Sequence, residues 1–429
     1  MAVAIESIKE SFDFEQLYTQ QEQSLQKMID LVYRNSPYYR QKLDQHGIKP
    51  GDIRTIKDLA RVPFTTKAEL RETYPLGMMA APEEQVVRIH SSSGTTGKPV
   101  IIPYTQRDVD TWAVMMSRCM QMVGVTNRDR VQVTPGYGLW TAGIGFQAGV
   151  EKLGAMAIPM GPGNTEKQLE MMQDLQTTVL LGTSSYGLLL AEEICRRGLK
   201  DQLALRIGIF GSERWGDKMR ARIEADLNID TFDIYGLTEI YGPGIAIDCP
   251  EHNGMHYWSD HLLFEIIDPA TGQQLPPGVE GELVITTLTK EGLPLLRYRT
   301  HDITSIKVER CSCGSPYPLM SRVLGRSDDM CKVKGVNIYP GQIDFVLQET
   351  PGAGSEYQLV LTRNKAKDKV TVRIEVETGY QHSEVAAHCQ RLIKSKIGVL
   401  ADIETLNYGD LPRSEKKTKR VYDYREAEL

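Results

Sequence analysis

The chain has 429 residues, 41% of them hydrophobic and 25% charged, and its 50 Lys and Arg against 56 Asp and Glu leave a net charge of -6. At roughly 150 residues per domain that length holds two or three cores, and the composition excludes a disordered or fibrous class. The negative balance removes the broad electrostatic footprint of a nucleic-acid binder.

No apolar run approaches the roughly 18 residues a membrane span needs, and the start, MAVAIESIKESFDFEQ, lacks a basic segment followed by an apolar core. A soluble cytoplasmic protein with no membrane partner is expected. The seven cysteines, odd in number and unevenly spread, do not form a disulfide framework. Cys119, Cys195, Cys331 and Cys389 stand alone within apolar or helical patterns and read as buried thiols.

Apolar positions at helical spacing (Ile8, Phe12, Phe14, Leu17, Leu25, Met28, Ile29, Leu31, Val32) predict an N-terminal helical cap ending near Asn35-Ser36-Pro37. From about residue 84, strand-like runs recur: VVRI, VQVT at 131, AMAI at 155, TVLLG at 178, RIGIF at 206 and TFDIY at 231. Helical patterns lie between several of them, TWAVMMSRCMQMV from 111 and KQLEMMQDL from 167, and the alternation predicts a largely parallel sheet with crossovers. After residue 260 the closely spaced runs LLFEII, ELVITT and ITSIKV, separated by Pro276-Pro277-Gly278 and Lys290-Glu291-Gly292, predict an antiparallel, barrel-like portion. Beyond Gly325-Arg326-Ser327-Asp328-Asp329 come strands YQLVLT and KVTVRIEV, a helix EVAAHCQRLIKSKI and a strand IETLNY. The expected fold is α/β: a large N-terminal domain over 1–326 with parallel-type sheets and the barrel-like portion, and a small, mobile α+β domain over 327–429, hinged near 328.

The sharpest local signal is SSSGTTGKP at 91–99. Small hydroxylated residues and two glycines permit a tight loop whose N–H groups and hydroxyls can surround phosphate oxygens, and Lys98 adds a positive charge. It is not a standard P-loop, since Gly94 and Gly97 enclose two residues and Pro99 follows the lysine where a magnesium-binding Ser or Thr belongs. A flexible Ser/Gly turn is the bland alternative. A second constellation is independent of phosphate: Cys249, His252 and His256, then Cys311-Ser312-Cys313-Gly314. Two cysteines one residue apart before a glycine form a compact knuckle, and Cys249 with one histidine would complete a tetrahedral Cys₃His set. Spacing alone leaves zinc and unconnected loop thiols both open.

SSSGTTGKP, YGLTE at 235–239, RYRTHD at 297–302, GRSDDM at 325–330 and PRSEKKTK at 412–419 occur in the order found in adenylate-forming enzymes. The chain resembles the phenylacetate-CoA ligases in particular, through YGLW at 137–140, FGSE at 210–213, SDHLLFEIID from 259, TTLTKEGLPLLRYRT from 286 and KGVNIYPGQI from 334. The resemblance implies an ATP-dependent ligase that converts an aryl or arylacetic acid to its CoA thioester through an acyl-adenylate, releasing AMP and pyrophosphate. Transfer of the acyl group to a carrier-protein thiol or an amine is the alternative, and a nucleic-acid-binding zinc module is disfavoured by the charge. The partners it implies are the acid, ATP and CoA, with no nucleic acid; a homodimer is an open expectation.

The resemblance also assigns residues. Ser91, Ser92, Ser93, Gly94, Thr95, Thr96, Gly97 and Lys98 would hold the β- and γ-phosphates. Tyr235 and Gly236 would border adenine, Thr238 the α-phosphate, and Glu239 a Mg2+ ion bridging phosphates. Asp302 would accept from both ribose hydroxyls, which suits a carboxylate. Gly211, Ser212 and Glu213 follow a parallel strand, where open α/β sheets bind ligands, with adenine and the acyl group as neighbours. Tyr137 and Trp140, with Tyr235 a third candidate, would wall a flat pocket for an aromatic ring. Arg326 and Asp328 fall at the pivot of the small domain. In the tail Lys416 stands where the family pattern has Gly, so the alignment places the ATP-orienting role on Lys417 in preference to Lys419. Relatives with a CxCG knuckle pair it with a Cys and a GMH-like segment, which favours Cys249, His256, Cys311 and Cys313 as ligands of a structural zinc.

Overall fold

The computed structural model describes residues 14–92, 98–307, 309–329, 331–333, 336–364, 367–414 and 418–425. Strands with no polar face build its centre: Val179–Thr183 and Ile207–Gly211 are buried along their whole length, as strands covered on both sides must be. They lie within an eight-stranded sheet ordered Leu319–Met320, Met255–Tyr257, Gly242–Asp248, Asp230–Leu237, Ile207–Gly211, Val179–Thr183, Arg130–Val133, Met156–Pro159. From Asp230–Leu237 to Met156–Pro159 all pairing is parallel, with helical crossovers; the remaining strands pair antiparallel, so the sheet is mixed.

Two expectations shift. VVRI does not join this sheet: Val86–Ser91 pairs antiparallel with Ile101–Thr105 in a separate two-stranded hairpin, so that the first residue of SSSGTTGKP, Ser91, ends one strand opposite Ile101. The barrel-like portion is a four-stranded antiparallel sheet of Leu262–Ile267, Gly281–Thr287, Tyr298–Thr304 and Gly325–Arg326. Its third strand precedes most of ITSIKV; Tyr298–Thr304 alternates buried and half-buried positions through RYRT, whereas Ile306 makes only an isolated bridge to Met320.

At the start, the helix Phe14–Asn35 ends as expected, but the next, Pro37–Gln45, begins at once. Ser36 caps it by accepting from the Tyr39 N–H, and Pro37 sits in the first turn, where its missing donor costs nothing. Ile8 and Phe12 lie outside the described residues. Cys119, Cys331 and Cys389 are buried, while Cys195 is exposed near the C-terminal end of the helix Ser184–Arg197, its Sγ 3.4 Å from the Asp226 carbonyl oxygen. Among the described residues no helix is long and apolar enough to cross a membrane.

A second core draws only on residues from Cys331 onward, including Val333, Ile343, Leu359, Val372, Cys389 and Val399. Its four-stranded sheet runs Asp402–Asn407, Lys367–Val376, Ala353–Asn364, Val421–Asp423 and packs with helices Gly341–Gln348 and His382–Lys396. The helix Gly341–Gln348 and the strand Val421–Asp423 were not anticipated; both are too short for a period to register. This unit docks on the helix Asp217–Leu227 and the turn before it: Arg214 pairs with Asp344 at 2.8 Å, and Lys218 Nζ donates to the carbonyls of Thr350 and Ala353 at 2.9 and 2.5 Å.

Candidate active site

The strand Asp230–Leu237 turns back on itself at YGLTE. At Gly236 a Cβ would stand 2.0 Å from the Gly242 carbonyl oxygen, so only glycine closes this hairpin. Thr238 Oγ1 lies 3.4 Å from Thr141 Oγ1. Glu239 is buried and its Oε1 is 2.9 Å from Lys67 Nζ. Lys67 had no signal in sequence: it opens the helix Lys67–Glu72, whose start is set by a capping box in which Thr66 accepts from the Glu69 N–H and the Glu69 carboxylate accepts from the Thr66 N–H.

Tyr235 Oη donates to Asp302 Oδ2 at 2.5 Å, and Arg326 Nη1 donates to Asp302 Oδ1 at 3.2 Å. Tyr235 is thereby tied to Asp302 through its hydroxyl. Burial pushes the Asp302 carboxyl up, opposed by the Arg326 charge and the Tyr235 hydrogen bond. Arg326 grips Asp328 with Nε and Nη2, each at 2.8 Å, so one guanidinium joins Asp302 to the segment leading into the second core.

At the base of the glycine loop the hydroxyls face the backbone. Ser92 Oγ accepts from the Val100 N–H at 3.0 Å, and Ser91 Oγ donates to the Ser92 carbonyl at 2.9 Å. Lys98 Nζ sits 5.3 Å above the Tyr74 ring. Ser93, Gly94, Thr95, Thr96 and Gly97 lie outside the described residues.

On the neighbouring strand, a Cβ at Gly211 would meet the Ile234 carbonyl oxygen at 2.3 Å, and Ser212 adopts φ +68°, a left-handed conformation that a serine holds only when its surroundings impose it. Glu213 follows. Its Oε1 accepts from Ser184 Oγ at 3.1 Å and from the Ser185 N–H at 2.7 Å, at the N-terminus of the helix Ser184–Arg197; its Oε2 accepts from the Thr418 N–H at 2.9 Å. Ser185 Oγ and Thr418 Oγ1 are 2.5 Å apart. Both Glu213 oxygens therefore bind protein and bring the tail to the end of the central sheet. Lys416 and Lys417 lie outside the described residues, and Lys419 Nζ is over the Tyr422 ring at 4.8 Å.

Tyr137 and Trp140 are seated on glycines: a Cβ at Gly143 would come within 2.9 Å of Tyr137 Cδ2, and one at Gly136 within 3.3 Å of Trp140 Cε3. Tyr137 Oη is buried and has no hydrogen-bond partner among the described residues.

Apart from these residues, Cys249, His256, Cys311 and Cys313 converge, their ligand atoms all within 4.8 Å of one another. Cys249 Sγ is 3.6 Å from Cys311 Sγ, and Cys313 Sγ is 3.3 Å from His256 Nε2. His256 Nδ1 lies 2.7 Å from the Tyr317 carbonyl oxygen, which leaves Nε2 facing the thiols. His252 is elsewhere: its Nδ1 is 2.7 Å from Asp248 Oδ2 and its ring stacks on Phe232. Three sulfurs and one imidazole nitrogen, buried or half-buried at these separations, fit a closed tetrahedral zinc shell.

A large α/β unit with YGLTE and Glu213 at the ends of adjoining strands, and a small unit whose tail reaches Glu213, is the arrangement of an adenylate-forming enzyme. The sequence model of the family "AMP-binding enzyme" matches residues 23–289, and that of the "AMP-binding enzyme C-terminal domain" matches 335–425; the chain belongs to this family. It is 44% identical to a phenylacetate-coenzyme A ligase of Pseudomonas putida, over 92% of this chain and 91% of that one. It is 42% identical to the phenylacetate-coenzyme A ligase of Escherichia coli (strain K12), over 97% of each. A crystal structure of 2-hydroxyisobutyryl-CoA ligase in the postadenylation state, with 2-HIB-AMP, superposes with a TM-score of 0.89 at 26% identity, covering 98% of this chain and 92% of that one. The same ligase with 2-HIB-AMP and CoA in the thioesterification state gives 0.71.

Proposed function

We propose that the chain is an AMP-forming acid–CoA ligase that converts phenylacetate, ATP and CoA to phenylacetyl-CoA, AMP and pyrophosphate. The observation that carries this reading is the convergence of Glu239, Asp302 and the tail, through Glu213, at the ends of two adjoining strands, in a chain similar to phenylacetate-coenzyme A ligases over nearly its whole length. In the first half-reaction a carboxylate oxygen of the acid attacks the α-phosphorus of ATP and pyrophosphate leaves. In the second the CoA thiol attacks the acyl carbon and AMP leaves. Both steps displace charge on phosphates, which fixed donors and cations stabilise.

In this reading Ser91 to Lys98 hold the β- and γ-phosphates, Thr238 the α-phosphate, and Asp302 the ribose hydroxyls. Tyr235, Gly236, Ser212 and Glu213 border the adenine, and Tyr137, Trp140 and Gly211 the acid. Lys417 orients ATP and acid during adenylation, and the small domain, divided from the large one at 326/327, pivots about Asp328 between the two steps. Glu239 is a buried oxygen donor suited to Mg2+, which when bound neutralises phosphate charge; Lys67 balances the carboxylate otherwise. Cys249, His256, Cys311 and Cys313 hold a structural zinc that joins the segment after YGLTE to the knuckle beyond the four-stranded sheet. ATP and CoA as substrates suit a cytoplasmic enzyme. Transfer to a carrier-protein thiol or an amine is the weaker reading, since the near-full-length similarity is to CoA ligases.

Chromatography of the products made from phenylacetate and ATP, with and without CoA, tests it. AMP and pyrophosphate are expected, with phenylacetyl-CoA only when CoA is present; ADP and phosphate would overturn the adenylation mechanism.

A further inference from the structure

The helix Ser184–Arg197 meets the tail twice. Its first turn positions Glu213 beside Thr418. Two turns further on it presents Glu192, which accepts from Tyr408 Oη at 2.9 Å and from Arg413 Nε and Nη2 at 3.1 and 3.0 Å. Arg413 also donates from Nη1 and Nη2 to the two oxygens of Glu375 at 2.9 and 3.0 Å. Glu375 lies on the strand Lys367–Val376 of the small domain and is fully buried. Arg222, on the large domain, places its guanidinium 5.2 Å from the Tyr408 ring.

Arg413 is thus divided between one carboxylate of its own domain and one of the other. The pair with Glu375 holds the guanidinium in place, so its side-chain entropy is already lost before it meets Glu192. If the small domain turns away, Arg413 keeps Glu375, so no buried charge is stranded. Glu192, about a quarter exposed, returns to water. An ion pair made in one arrangement and absent from the other biases the equilibrium between them by its own free energy. The arrangement seen superposes far better on the postadenylation state of a related ligase than on its thioesterification state.

We propose that Glu192 is a positioning residue for the adenylation half-reaction: by receiving Arg413 and Tyr408 it latches the small domain where the tail reaches Glu213, and it takes no part once the domain has turned for the CoA step. This rests on the reading of Lys417 as the adenylating lysine.

The test uses the full-length enzyme with Glu192→Gln and Glu192→Ala. Pyrophosphate release from ATP and phenylacetate without CoA is measured separately from CoA consumption of supplied phenylacetyl-adenylate, alongside melting temperature. Adenylation should fall about tenfold, the scale of one interdomain charge pair, while the CoA step and melting stay unchanged. Tyr408→Phe removes one hydrogen bond to Glu192 and leaves the ion pair, and should give a smaller loss in adenylation alone. Unchanged adenylation in both Glu192 variants, or equal loss in the two half-reactions, overturns the latch. Lys417→Ala, run in parallel, separates the two readings: if it loses adenylation while the Glu192 variants do not, only the latch fails; if it adenylates normally, the assignment of Lys417 fails.

Discussion

The ammonium of Lys290 donates to the carbonyl oxygen of Ile240, the residue that follows Glu239. Lys290 is fully buried between the rings of Tyr104 and Tyr241, its Nζ 4.2 and 4.6 Å from their centroids. Tyr104 Oη donates to the Tyr241 carbonyl at 2.9 Å and Trp112 Nε1 to the Pro243 carbonyl at 2.8 Å. Three buried donors therefore hold the chain just past Glu239 from behind.

Burial lowers the Lys290 ammonium from its ordinary 10.5 to about 7, against the opposing charges of Asp108 and Glu239. Between those values the unfolded chain binds the proton and the folded one does not, so this lysine makes stability rise with pH from about 7 towards 10.5; below 7 both states are protonated and its contribution is flat. Urea unfolding of the wild type and Lys290→Met at several pH values should show the difference moving in favour of the wild type across that window. A pH-independent difference would contradict a buried, titrating Lys290.

The Lys67–Glu239 pair leads to a metal-linked prediction. Lys67→Met leaves the buried Glu239 carboxylate without its cation, which should cost about 1–3 kcal/mol in metal-free protein. Magnesium should recover part of that loss, raising the melting temperature of Lys67→Met more than that of the wild type. Equal shifts in both proteins would mean that Glu239 does not take the ion.

Zinc should be present at one ion per chain in protein purified without added metal. Cys311→Ser should lose the ion and melt at a lower temperature, because metal binding contributes directly to folding free energy, while folded variant at low temperature keeps its adenylation rate. Metal analysis and thermal melting decide it. Metal-free wild-type protein, with melting unchanged in the variant, would leave four ordinary side chains.

Lys417→Ala should abolish pyrophosphate release and spare CoA attack on supplied phenylacetyl-adenylate, since the proposed turn of the small domain would carry the tail away from Glu213 for the second step. Stopped assays of each half-reaction read this directly. Equal loss in both would argue against a turning domain.

Much of this was legible in the chain alone, because the signals are local. Val179–Thr183 and Ile207–Gly211 are continuous apolar runs, and such runs bury on both faces wherever they pair. YGLTE and GRSDD each run from a strand end into a turn, with their glycines and carboxylates within a few residues of one another. The second core was visible as a separate strand and helix pattern after Asp329. Its short helix Gly341–Gln348 was not, since eight residues give too few repeats of a helical period.

Pairings across the fold were decided by tertiary structure. VVRI reads as any strand, and only folding showed that its partner is Ile101–Thr105 rather than the central sheet. His252 and His256 are both close to Cys249, yet Asp248 and Phe232 engage the first while the Met255–Tyr257 strand turns the second towards Cys313. Lys67 with Glu239, Lys290 with Ile240, and Glu192 with Arg413 join residues far apart in the chain. Sequence by itself determined which segments bury and where they turn, because burial periodicity and turn chemistry are properties of a few neighbouring residues. Which charge meets which was settled only when the sheet order brought distant side chains into one low-dielectric place, where an unpaired charge is costly and a partner is required.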